Sequence, residues 1–98
     1  ITLKEMANIL EDKLNGKIVH FGSCSTLNTT TKNITDFIQR TGCEFISGYK
    51  KSVEYIDSTA FELIYFEVLQ NCYSFRKISR AIFSKYSTLA EKLKFAMY

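Results

Sequence analysis

Two short runs rich in β-branched and aromatic residues each stop at a glycine, and a helical pattern separates them. Residues 17–21 (Lys-Ile-Val-His-Phe) precede Gly22, and residues 43–47 (Cys-Glu-Phe-Ile-Ser) precede Gly48. Runs this short, bounded by turn residues, read as buried strands. Strands separated by helices imply parallel pairing joined by right-handed crossovers. The expectation is an α/β layered sandwich, with a short parallel sheet flanked by helices. Residues 94–98 alternate in polarity and read as a closing strand.

The helical segments carry their own punctuation. Thr2 and Glu5 form a capping box ahead of a stripe of Leu3, Met6, Ala7, Ile9, Leu10 and Leu14, and Asn15-Gly16 is the expected stop. A second helix is capped by Asn33 or Thr35, buries Ile34, Phe37 and Ile38, and ends at Gly42. Residues 49–57 read as a loop. Asp57, Ser58 or Thr59 then caps a helix over 60–69 that is apolar on nearly every side. Such a helix needs more than one neighbour. Ninety-eight residues supply few, so the chain reads as a single α/β domain that is a fragment of a larger one. Its partner is a missing N-terminal half or a second copy. The opening Ile1 fits a removed leader or a truncated start. Ser74 caps a basic helix with Phe75, Ile78, Ile82 and Phe83 expected inward, and Thr88 with Glu91 starts a last short one.

Composition narrows the class. Apolar residues make up 46% of the chain and charged residues 23%, which excludes wholesale disorder. No apolar stretch approaches the roughly 20 residues of a membrane span, and no signal peptide opens the chain. Cys24, Cys43 and Cys72 are an odd, widely spaced set with His20 as the one histidine, so a structural zinc site lacks ligands. Unpaired thiols fit a reducing, cytoplasmic setting. Residues 1–72 hold seven Lys/Arg against nine Asp/Glu, whereas residues 73–98 hold six against Glu91 alone. Without a groove-reading motif, that basic tail reads as a solvated face and not as a nucleic-acid site.

In open parallel sheets, ligands gather at the carboxyl ends of the strands. Two segments lie there: Gly22-Ser23-Cys24-Ser25-Thr26 and Gly48-Tyr49-Lys50-Lys51. Cys24, in a small polar loop, is the candidate nucleophile, against a small half-buried residue with no chemistry. A nucleophilic thiol needs a base or a positive field beside it. His20 is a poor candidate base, since four extended residues span about 13 Å; a packed, hydrogen-bonded core residue is the plainer reading. Cys43 and Cys72 fall in apolar settings and read as inert. Glu54 and Asp57, in the loop after the second strand, are candidate substrate-binding acids for a positively charged side chain, against capping by Asp57 and simple solvation of Glu54. Phosphate-loop, dinucleotide and serine-hydrolase patterns are absent, and no cofactor is expected.

The run Ile18-Val19-His20-Phe21-Gly22-Ser23-Cys24-Ser25-Thr26-Leu27 resembles the strand and Ser-Ala-Cys-x-Thr element of caspase-like CHAT-domain cysteine peptidases. Gly42 to Gly48 resembles that family's next glycine–strand–glycine element. Val53-Glu54, Ala60 and the long apolar helix resemble its Val-Asp, Ala and helix segment. The resemblance covers roughly residues 3–70. It implies the C-terminal half of a caspase-like fold in a bacterial protein, with Cys24 attacking a peptide carbonyl and Glu54 meeting the residue before the scissile bond. The family's general base is a His-Gly element upstream, which this chain lacks, so the fragment alone is expected to be inactive. The alternative is a non-catalytic scaffold or protein-interaction module.

Overall fold

The computed structural model describes residues 2–22, 27–72 and 74–98, with Tyr55 described by its backbone alone. The elements run α1 (Leu3–Ile9), β1 (Ile18–His20), α2 (Thr31–Thr41), β2 (Phe45–Tyr49), α3 (Tyr55–Asn71), α4 (Phe75–Lys85), α5 (Ser87–Lys92) and β3 (Phe95–Met97). The sheet order is β1-β2-β3. β1 and β2 are parallel, with His20 opposite Ser47. β3 is antiparallel to β2, with Tyr49 opposite Phe95. The layered α/β class holds, and the parallel pair gains an antiparallel edge because the chain returns through α3, α4 and α5 before β3.

All five residues of β2 are buried, and the two-residue period of a strand sends them to opposite faces. Phe45 and Tyr49 join Phe61 and Tyr65 of α3, Ile78 and Ile82 of α4, and Phe95. Ile46 joins Leu3 and Ala7 of α1, Ile34 and Phe37 of α2, and Leu27. Each such side chain removed from water contributes about 1.5–3 kcal/mol. Two cores therefore form, one on each face of the sheet.

Gly48 lies inside β2 and does not close it. A β-carbon there would meet Leu27 and the Cβ of Phe21 at 3.2 Å, so the glycine admits close packing on the α1/α2 face. Thr2 caps α1 and Ser74 caps α4 as expected, whereas α2 starts earlier than expected and is capped by Thr30 and not by Asn33 or Thr35, which lie within the helix. Helix α1 ends at Ile9, well before Asn15. The backbone N–H groups of Asp12, Leu14 and Gly16 bond to the carbonyls of Arg40, Thr41 and Gly42, so this segment finds its partners at the end of α2. Helix α3 begins at Tyr55, earlier than the sequence suggests. Phe75 and Phe83, expected inward on α4, are 39% and 41% exposed. No helix among the described residues is long and apolar enough to cross a membrane.

Replacing Gly48 with valine forces branched carbons against Leu27 and Phe21. The expected loss is about 1–3 kcal/mol, read from urea unfolding. An unchanged midpoint would show that Leu27 yields freely.

Candidate functional site

The chain leaves β1 toward α2 on one face and leaves β2 toward α3 on the other, as the two cores show. Neighbouring parallel strands whose connections diverge open a crevice beyond their carboxyl ends. A chain of polar side chains lies beneath that edge, on the α3 side. Alternation along β1 and β2 sends His20, Ser47 and Tyr49 to this face, and α3 supplies Glu62 and Tyr65.

The hydroxyl of Tyr65 donates to Ser47 Oγ at 2.7 Å. Ser47 Oγ lies 2.9 Å from His20 Nδ1, and His20 Nε2 lies 2.7 Å from Glu62 Oε2. The hydroxyl of Tyr49 donates to the same carboxylate oxygen at 3.0 Å. A carboxylate only accepts, so the proton of the neutral ring is assigned to Nε2. Ser47, having accepted from Tyr65, then donates its own proton to Nδ1. The four bonds form one consistent series, and among the described residues no buried side-chain polar atom lacks a partner. The rings of Tyr65, Phe66 and Tyr49 surround His20 at centroid distances of 5.2, 5.5 and 5.8 Å.

Burial pushes the Tyr65 phenol up to about 12, opposed by its bond to Ser47. Tyr49 is raised further, first by burial and then by the charge and hydrogen bond of Glu62. Serine, histidine and glutamate in hydrogen-bonded series have the residue types of a hydrolytic triad. Ser47, however, has no exposed surface, and its oxygen is already engaged with both His20 and Tyr65. The series is an anchor. What it holds toward the edge is the Glu62 carboxylate, 19% exposed. That carboxylate lies 3.2 Å from where a side chain on Gly22 would begin.

Cys24 lies outside the described residues. Cys43 is a buried free thiol, and Cys72 is half-buried and also free. Glu54 is the N-cap of α3 without a side-chain capping bond, and Asp57 lies in that helix's first turn. Asp57 pairs with Lys92 at 3.3 Å, a partly exposed contact worth little. Neither acid belongs to the His20–Glu62 series. His20 is the packed, hydrogen-bonded residue expected. Sequence reading passed over Glu62, Ser47, Tyr49 and Tyr65. One signal was present: Glu62 is an acid within an otherwise apolar helical stretch, and a buried charge requires a partner. Among the described residues no three His, Cys, Asp or Glu side chains are placed to hold a metal ion.

Fold and site together define a small layered α/β protein with its polar anchor under the carboxyl edge of a parallel strand pair. Over residues 1–98 the chain belongs to a family of unknown function (DUF6642). No curated protein and no solved structure gives a significant match. The resemblance to caspase-like CHAT-domain peptidases is thereby corrected: the family matched along the whole chain is a different one, and nothing caspase-like is found. The motifs that carried the resemblance are short strand–glycine elements. A buried strand entering a tight turn favours β-branched residues followed by glycine in any parallel α/β unit. The role of Glu54 beside a scissile bond, which rested on that resemblance, lapses with it.

Ser47→Ala leaves the Tyr65 hydroxyl and His20 Nδ1 without partners and is expected to destabilise by about 1–3 kcal/mol. Adding Tyr65→Phe removes one of those orphans. The double variant should therefore lose less than the sum of the singles in a denaturation cycle; strict additivity would count against a connected series. The tyrosines also set a pH dependence. The native state keeps the Tyr65 proton up to about 12, whereas an unfolded tyrosine releases its proton near 10. The native state thus binds more protons in that window, and stability falls as pH rises through it. The slope reaches about 1.4 kcal/mol per pH unit for each such tyrosine. Urea titrations at a series of alkaline pH values should show a shallower fall for Tyr65→Phe.

Proposed function

We propose that this chain is the thiol-bearing part of a cysteine hydrolase acting on peptide or protein substrates in a reducing, cytoplasmic setting, with Cys24 as nucleophile. The observation that carries this reading is the divergence of the chain at the ends of β1 and β2. Residue 24 falls in the connection that departs from that crevice, four positions beyond His20. The other two thiols are poorly suited, since Cys43 is buried and Cys72 forms the C-cap of α3, at the end of that helix remote from the β2 connection. The Glu62 carboxylate sits against Gly22, where the same connection begins, and so anchors its base.

In this mechanism the thiolate of Cys24 forms a bond to the substrate carbonyl carbon. The carbon–nitrogen bond breaks, and the departing amine takes its proton from the general acid. Water then cleaves the thioester, releasing the carboxylic acid and restoring the thiol. His20 is not the base, because both ring nitrogens are committed to Ser47 and Glu62. The base is contributed by another polypeptide segment.

Labelling the full-length protein with iodoacetamide and following each cysteine by peptide mass spectrometry tests this. Cys24 should react first and Cys43 last, with the fast phase lost in Cys24→Ser. A Cys24 no faster than Cys72 would sink the reading. A second reading, a non-catalytic interaction module, is favoured by the outer side of α3, where Ile56 and Leu63 are 79% and 70% exposed. On that reading Cys24→Ala leaves the protein's biological activity intact.

A further inference from the structure

We propose that the outer edge of β3 and the adjoining flank of α4 form a docking groove for an extended acidic peptide segment. This surface is separate from the β1/β2 crevice and does not depend on the hydrolase reading. Three independent features converge on it.

The first is an open backbone edge. Tyr98 exchanges both backbone hydrogen bonds with Ile46, and the carbonyl of Lys94 accepts from Lys50. The carbonyl of Lys94 and the amides of positions 96 and 98 therefore face β2, the Lys94 N–H donating instead to the carbonyl of Glu91, and antiparallel alternation points the N–H and C=O groups of Phe95 and Met97 outward. Among the described residues no strand lies beyond β3. An open edge is complementary to another extended backbone.

The second is an apolar floor beside that edge. Phe75 and Phe83 lean on Phe45 and Phe95 at ring distances of 5.3 and 5.9 Å, yet both keep about two-fifths of their surface exposed. A hollow of about 630 Å³ runs along α4 between Phe75 and Phe83. A second, of about 390 Å³, adjoins it at Phe83 and reaches Phe95 of β3. Eight residues of helix at 1.5 Å each give a length of about 12 Å, the span of about four extended residues.

The third is charge. Arg76 and Arg80 border the first hollow and Lys50 and Lys94 the second, with Glu91 the one acid between them. Among the described residues neither Arg76 nor Arg80 has an ion-pair partner. An acidic segment with apolar residues at alternate positions meets all three features. Its backbone pairs with Phe95 and Met97, its apolar side chains fill the hollows, and its carboxylates face the two arginines. A nucleic acid would meet only the charge, since its backbone offers no amide ladder to a strand edge.

The test is fluorescence anisotropy with a short fluorescein-labelled peptide alternating Asp with Leu and Phe, compared with the same peptide carrying Lys for Asp and with single-stranded oligothymidylate. The acidic peptide should bind, and the other two should bind far more weakly. Arg76→Glu with Arg80→Glu should weaken binding about tenfold, as two exposed attractions become repulsions. Hydrogen exchange on the unaltered protein provides a readout independent of those variants, since the amides of Phe95 and Met97 should become protected by the acidic peptide. Equal binding of acidic and basic peptides, tighter binding of the oligonucleotide, or unprotected Phe95 and Met97 amides would each overturn the proposal.

Discussion

Strand β2 is buried on both faces and hydrogen-bonded on both edges, and every other feature of this protein is placed by that fact. Its alternation divides the molecule into two cores: Phe45 and Tyr49 hold α3, α4 and α5, while Ile46 holds α1 and α2. A one-residue slip in register would exchange the two faces and bury the wrong side chains in both cores. Gly48 is part of the same constraint, because the α1/α2 core approaches the strand too closely there for any β-carbon to enter without displacing Leu27 or Phe21.

Placing Ser47 on the α3 face creates a problem that the polar series resolves. A hydroxyl with no exposed surface loses its water and must find partners inside the protein. Tyr65 and His20 supply them, and His20 in turn leans on Glu62, which Tyr49 also holds. Removing one member strands its neighbours, so the group acts as a unit. It ties β1, β2 and α3 together immediately below the edge where the chain diverges.

The existence of the strands was legible because β-branched runs and turn residues are local signals, but the end of β2 was not, since Gly48 lies inside the strand and does not close it. The caps at Thr2 and Ser74 were legible for the same reason. The end of α1 was not, since the segment after it bonds to the far end of α2. Phe75 and Phe83 were misplaced because helical periodicity marks an apolar flank without showing whether anything covers it. The site divides along the same line. His20 was recognised as a packed residue, but Glu62 was passed over although it is an acid among apolar neighbours, Ser47 resembled an ordinary member of a buried strand, and Tyr49 read as a loop residue where the structure extends β2 through it.

From the sequence by itself come the order of elements and the layered α/β class, because each depends on neighbours within a few positions along the chain. Only the tertiary structure decided that His20, Ser47, Glu62, Tyr49 and Tyr65 form one hydrogen-bonded series. The hydrogen-bonded pairs of that series lie up to 42 positions apart. Strand register and the packing of α3 set the distances between them, and those depend on how two separate cores close around one strand.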